Sequence, residues 1–134
     1  MVRTKMPVST DSPAVAVARS HVTAWSNHDY ETARASLAAD VTVASTTTQP
    51  IMAPVHLTGT DAYMEGLIHF AQTVVPGSAR VIASAGDDRN ALLMLTVEAD
   101  FGGGKMILPA ARLYLLDDDS KIKSEQVIFF GSPE

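Results

Sequence analysis

Helical stretches come first in this sequence and a run of strands follows, an order that predicts an α+β domain with helices packed on one face of a curved antiparallel sheet. Two further observations narrow the picture. The last strand-like stretches are separated by "FGGG" and "DDDS", turn compositions short enough for antiparallel hairpins. No internal repeat or second linker interrupts the 134 residues, the size of one ordinary domain.

Residues 1 to 12 mix Pro, Ser, Thr and Asp with charge and are expected to form a flexible tail, leaving 13–131 as a single domain. Ser12-Pro13 is a good helix start, because serine caps and proline is tolerated at the first helical position. Helix one then covers "AVAVARSHVTAWS" and stops near Asn27. Asp29 caps a shorter helix, "YETARASLAA", with Leu37 facing inward. The β-branched, alternating "VTVASTTT" (41–48) reads as a strand, and "QPIMAPVHLTG", with two prolines and a glycine, as a loop. Thr60 and Asp61 open a third helix through "AYMEGLIHFAQTV", ended by Val75-Pro76-Gly77. From residue 78 onward "SARVIASA", "ALLMLTVEAD", "KMILPAARLYLL" and "KIKSEQVIFF" are strands.

Composition bounds the function. The chain is 46% hydrophobic and 19% charged, as soluble globular proteins are, and its net charge of −5 with no basic stripe argues against nucleic acid as a partner. Cysteine is absent, which excludes disulfides, thiolate zinc sites and a cysteine nucleophile. The apolar runs are strand-sized, well short of the roughly 20 residues of a membrane span. "MVRTKMPVSTDS" lacks the apolar core of a signal peptide, so a cytoplasmic location is the expectation.

"AWSNHDYETARASLAADVTV", "LTGTDAYMEGL" and "GKMILPAARLYLLDDDSKIKSEQVIFFG" resemble, in that order, the opening, the third helix and the last hairpin of the nuclear-transport-factor-2-like superfamily, with its SnoaL-like and ketosteroid-isomerase-like domains. The resemblance spans about residues 13 to 131 and implies a cone-shaped, cystatin-like roll whose inner sheet face lines a pocket. The family's ketosteroid isomerases use a helix-one tyrosine, a strand-one aspartate and a protonated partner aspartate. These positions fall here on His21, Ser45 and Arg112. A serine without an activator cannot shuttle a proton between carbons as a carboxylate does, so steroid isomerisation by that two-aspartate mechanism is rejected. The Asp-Arg-Asp trio of limonene-epoxide-hydrolase-like members is incomplete too, since no aspartate lies two residues from Arg112. A SnoaL-like cyclase needs only an inward acid or imidazole base.

Arg112 sits in the apolar "ARLYLL". A turn centred on Asp118-Asp119, of two or four residues, pairs Arg112 directly with Glu125, whereas an odd-length loop pairs it with Ser124 or Gln126. An inward arginine is expensive to bury unless a carboxylate meets it. The pair reads as an anion or carbonyl clamp, as an arginine-activated glutamate base, or as a structural ion pair at the open rim or a dimer face. His21 shares a helical face with Val17 and Trp25, and its near-neutral pKa would suit acid–base work; a core histidine is the plainer reading. His21, Arg112 and Glu125 are thus the candidate catalytic residues. Trp25, Tyr63, Phe70, Tyr114 and Phe129 are candidate pocket walls, with inward hydroxyls from Ser45 and Thr47 and an imidazole from His56.

His56 and His69 have no supporting carboxylate or histidine at metal-ligand spacing, "GGG" lacks the Lys-Ser/Thr and helix of a phosphate loop, and "DDDS" lacks the spacing of a calcium loop. No metal or cofactor is expected. The predicted partner is a small hydrophobic molecule with a polyketide-, terpenoid- or steroid-like skeleton. Acid–base isomerisation or cyclisation is the expected chemistry if the protein is an enzyme; the alternative is a non-catalytic binding or dimerisation module. A homodimer is expected either way, because a sheet face carrying Met94, Thr96 and Leu113 needs covering.

Overall fold

A computed structural model describes residues 11–47 and 55–130; residues 1–10 of the expected N-terminal tail and 49–54 of the expected 49–59 loop lie outside them. Helix α1 (Pro13–Ser26) begins where serine and proline predict, with the Ser12 hydroxyl accepting from the Val15 amide at 3.2 Å. It buries one stripe, Ala14, Val15, Ala18, His21, Val22 and Trp25, against the sheet. His28 takes a left-handed conformation (φ 65°), and Asp29 caps helix α2 (Tyr30–Ala35) through the Thr32 amide.

The sequence extends α2 to residue 39, but the helix stops at Ala35. Ser36 bonds back to the Ala33 carbonyl at 2.7 Å, and Leu37 is already paired with Ile122 as the first residue of β1 (Leu37–Thr47). Leu37 faces inward all the same, at 7% exposure, from a strand rather than a helix. The expected loop 49–59 also contains a strand, β2 (Val55–Thr58), antiparallel to β1. Four residues against a neighbouring ladder suffice, and the prolines before them obscured the short apolar–polar alternation.

Helix α3 (Thr60–Ala71) follows Gly59, whose φ of 94° turns the chain out of β2. The Thr60 hydroxyl donates to the Ala38 carbonyl at 2.9 Å, tying the helix start to β1. Strands β3 (Arg80–Gly86), β4 (Asn90–Asp100), β5 (Lys105–Leu116) and β6 (Ile122–Phe129) complete a curved six-stranded sheet in the order β2-β1-β6-β5-β4-β3. One pair departs from the antiparallel expectation: β6 lies parallel to β1, so the sheet is mixed.

Alternation on β4 buries Ala91, Leu93, Leu95, Val97 and Ala99 on the face that carries α1, and β5 continues that inner face with Leu108, Ala110, Arg112, Tyr114 and Leu116. The face opposite α1 and α3 carries the exposed Ile107, Leu113 and Ile128. Among the described residues no helix is long and apolar enough to cross a membrane.

Direct pairing of Arg112 with Glu125 is corrected by the β5–β6 register, in which Arg112 lies opposite Val127 and Glu125 opposite Tyr114. The connection closes as an odd loop, Asp117 to Lys121, whose amide–carbonyl bond is 2.8 Å and in which Asp117 Oδ1 accepts from the Asp119 and Lys121 amides. A register shift between Leu115 and Leu116 adds one more residue. The odd loop alone would turn Glu125 to the opposite face from Arg112; the bulge returns it. The two side chains are diagonal neighbours on one face, within reach of long side chains.

Gly86 marks where α1 meets the β3–β4 hairpin. A Cβ there would come within 2.8 Å of Val15 Cγ2 and collide with the Asn90 backbone carbonyl. Gly86→Ala is expected to destabilise the domain by about 1–3 kcal/mol, an overpacking cost that urea denaturation would read directly.

Candidate functional site

Four elements converge beneath the sheet. Strand β5 supplies Arg112 and Tyr114, β6 supplies Glu125, α3 supplies Tyr63 and α1 supplies His21. Arg112 Nη1 donates to Glu125 Oε2 at 2.6 Å, with the two side chains 4% and 1% exposed. The guanidinium carbon lies 4.7 Å from the centre of the Trp25 ring, 5.9 Å from that of Phe129 and 6.0 Å from that of Phe70. Aromatic faces thus replace part of the hydration that burial removes. Burial works against the charge of Arg112, but the Glu125 carboxylate overrides it, with Tyr114 and Tyr63 adding to the effect, and its pKa stands above the ordinary guanidinium value.

The second carboxylate oxygen, Glu125 Oε1, accepts from the Tyr63 hydroxyl. His21 Nε2 lies 3.0 Å from the Tyr63 oxygen, and His21 Nδ1 lies 2.7 Å from Ser36 Oγ and 3.2 Å from the Ala33 carbonyl. Burial raises the Tyr63 and Tyr114 phenols well above their usual range, and the neighbouring Glu125 charge adds to both shifts. Burial also lowers the His21 imidazole to about 4; Glu125 opposes that shift and Arg112 reinforces it. His21 is therefore a neutral ring near pH 7.

A cavity of about 330 Å³ opens on this cluster. Its walls are mainly apolar, from Val43 on β1, Leu57 on β2, Leu67 and Phe70 on α3, and Val127 and Phe129 on β6. Ser45, Tyr63, Arg112 and Glu125 provide polar groups, while His69, Thr73 and Phe101 also line it. His69 and Phe101 are exposed and form the mouth.

The predicted site residues are divided by this geometry. Arg112, Glu125, Ser45, Tyr63, Phe70 and Phe129 line the cavity. His21 does not; it stands behind Tyr63 and reaches Glu125 only through that phenol. Trp25 lies beneath Arg112, and Tyr114 lies against the His21 ring at 6.1 Å, so both support the lining rather than form it. His56 is exposed on β2 and outside the lining, and the side chain of Thr47 lies outside the described residues. Among the described residues no three His, Cys, Asp or Glu side chains gather as a metal site would require.

Sequence reasoning passed over Ser36, Thr73 and Phe101, and weighed His69 only as a metal ligand. His69 on α3 and Thr73 in the turn just beyond it flank Phe70, which was already assigned to the wall. Phe101 belongs to a hairpin tip, where no periodicity marks its direction.

The family model of the SnoaL-like domain matches residues 18–125. Among solved structures, a protein from Kribbella flavida DSM 17836 is similar at 24% identity, covering 89% of this chain and 88% of that one with a TM-score of 0.74. An LEH-like epoxide hydrolase of Mycobacterium tuberculosis aligns at 17% identity, 87% and 82% coverage and a TM-score of 0.67. Rv0760c of Mycobacterium tuberculosis, in complex with estradiol-17β-hemisuccinate, aligns at 15% identity, 87% and 93% coverage and a TM-score of 0.70. No curated protein sequence matches. The chain belongs to the SnoaL-like domain family, within the nuclear-transport-factor-2-like and ketosteroid-isomerase-like fold.

The depressed His21 pKa has a measurable consequence. The folded state keeps the ring neutral down to about pH 4, whereas the unfolded chain takes up a proton below about 6.5. Its stabilising contribution is therefore full above pH 6.5 and lost as pH falls towards 4. Urea denaturation from pH 7 to 4 is expected to show the wild type losing about 3 kcal/mol more stability than His21→Gln.

Proposed function

We propose that this chain binds a small hydrophobic molecule with a polyketide-, terpenoid- or steroid-like skeleton in the cavity above Arg112 and Glu125, and carries out acid–base isomerisation or cyclisation on it. The observation that carries this reading is a buried carboxylate, ion-paired and hydrogen-bonded, facing an otherwise mostly apolar cavity. Its volume of about 330 Å³ falls at the lower end of small-molecule sites. Glu125 spends one oxygen on Arg112 and the other on Tyr63. A carboxylate has about four lone-pair sites, so lone pairs remain for a substrate proton. Arg112 stabilises negative charge that develops beside it, and Ser45 is a donor on the cavity wall. The neighbouring Rv0760c, with its steroid ester, supports the choice of skeleton. A non-catalytic ligand carrier of the same fold would use the same cavity and differ only in leaving its ligand unchanged.

Trp25, the sole tryptophan, packs against Phe70 and Arg112 and is placed to report occupancy. Titration with estradiol-17β-hemisuccinate is expected to change its fluorescence saturably, and Val43→Phe, which fills the cavity, to weaken binding at least tenfold. In a screen of polyketide-, terpenoid- and steroid-like carbonyl compounds, Glu125→Gln is expected to retain binding and abolish turnover. Binding without turnover anywhere in the screen selects the carrier reading; absence of binding across the screen overturns the cavity assignment.

The outer sheet face supports a second proposal, a homodimer. Ile107, Leu113 and Ile128 leave 55%, 41% and 36% of their surface exposed on the side away from the helices. Covering them would bury apolar area that a monomer leaves in water. Sedimentation equilibrium is expected to give twice the chain mass, and Leu113→Glu to shift it to the monomer.

A further inference from the structure

We infer that Glu125, Tyr63, His21 and Ser36 form a hydrogen-bonded proton path joining the ligand cavity to a second, separate depression on the protein surface. The inference rests on the acid–base reading of Glu125 above and adds the route by which its proton leaves. The cavity end is Glu125 Oε1, bonded to the Tyr63 hydroxyl. The chain continues through His21 Nε2, 3.0 Å from Tyr63, and leaves the ring at Nδ1, 2.7 Å from Ser36 Oγ. Ser36 is half-buried and lines a depression with Ala16, Val17, Ser20, Ser120 and Lys121. None of these six residues lines the ligand cavity.

Counting protons along the chain leaves two self-consistent arrangements. With Glu125 as carboxylate, Tyr63 donates to Glu125, His21 Nε2–H donates to Tyr63, and Nδ1 accepts from the Ser36 hydroxyl. The Ala33 carbonyl keeps its bond from the Ser36 amide at 3.3 Å. With Glu125 protonated, every bond reverses. Glu125 donates to Tyr63, Tyr63 donates to Nε2, Nδ1–H donates to Ser36 Oγ and the Ala33 carbonyl, and the Ser36 hydroxyl donates to the Ala33 carbonyl or to water. Both arrangements leave every link of the chain hydrogen-bonded, and they differ by one proton; the first turns the Ser36 hydroxyl from the Ala33 carbonyl, 2.7 Å away, to Nδ1, and the second keeps it on that carbonyl.

The step from the second arrangement to the first is balanced. The Glu125 proton passes to the Tyr63 oxygen as the Tyr63 proton passes to Nε2. Nδ1 gives its proton to Ser36 Oγ, and the Ser36 proton passes to water in the depression. An apolar ligand filling the cavity blocks the direct exit from Glu125 to solvent, whereas this path leaves by the opposite end of the buried cluster. A ring that is neutral near pH 7 always offers one N–H and one lone pair, as the relay requires. Charged neighbours are Arg112 at the Glu125 end and Lys121, bonded to the Ala35 carbonyl at 2.7 Å, at the Ser36 end.

Long-range proton–nitrogen NMR of the imidazoles at pH 7, with His21 assigned through His21→Asn, tests the path without any ligand. The wild type is expected to hold His21 as the Nε2–H tautomer. In Glu125→Gln the amide donates to Tyr63, fixing the reversed polarity, and His21 is expected to switch to Nδ1–H. In the Tyr63→Phe background the same substitution should leave the tautomer unmoved. An Nδ1–H wild type, or one tautomer in both wild type and Glu125→Gln, overturns the coupling. Solvent exchange of the ring N–H should slow at least tenfold in Ser36→Ala and recover in Ser36→Thr; unchanged exchange in Ser36→Ala overturns the exit. Because nothing here depends on a bound molecule, failure of this test leaves ligand binding standing. Failure to find a ligand equally leaves the path standing.

Discussion

Two opposite charges, almost wholly removed from water, sit at the centre of this domain, and the neighbouring structure answers to them. Arg112 and Glu125 each cost several kcal/mol to desolvate, and their mutual attraction repays this only if geometry is good and the remaining polar atoms find partners. The adjoining elements meet most of that requirement, leaving Arg112 Nε without a hydrogen-bond partner among the described residues. Tyr63 on α3 fills the second carboxylate oxygen, while Trp25, Phe70 and Phe129 surround the guanidinium with aromatic faces. Helix α1 brings His21 to Tyr63, and the end of α2 brings Ser36 to His21. Three helices are thus tied to one pair.

The same constraint explains the distribution of roles around the cavity. Residues that touch its space are mostly apolar, so a ligand meets few polar groups. Hydrogen-bonding capacity is concentrated behind the wall, where His21 and Ser36 secure the inner side of Tyr63. Steroid isomerisation by two aspartates was rejected from sequence because Ser45 and Arg112 occupy the acidic positions. The fold restores a carboxylate to the cavity from β6 instead, through Glu125. A carboxyl group in this scaffold is thus not tied to one strand.

Much of this was legible in the residues. Ser12-Pro13 and Asp29 announced their helices because capping is local chemistry, and the β4 alternation announced its buried face because a period of two is local geometry. That Arg112 and Glu125 share an inner face was also readable, yet their pairing was not. The register depends on a bulge at Leu115–Leu116 and on how Asp117 closes its loop, and neither leaves a periodic trace. The early end of α2 had a similar cause: "ASLAA" has good helix propensity, and only the ladder from Leu37 to Ile122 overrides it. The parallel β1–β6 contact was out of reach for pattern reading, since it joins stretches about eighty residues apart. Ser36, a half-exposed serine at a helix end, carried no signal of its own.

That parallel contact has a consequence for how the chain comes together. Among the described residues strand β6 is the one bridge between the β2–β1 pair and the β5–β4–β3 meander, and it carries Glu125. Until residues 122–129 are in place, β1 and β5 each present an open edge, and Arg112 has no carboxylate to meet it. The meander forms from neighbours in sequence, but closure of the sheet waits for a long-range pairing of the slow kind. During synthesis the two exposed edges coexist, and this interval is the one in which a chaperone or a second nascent chain would find strands to pair with.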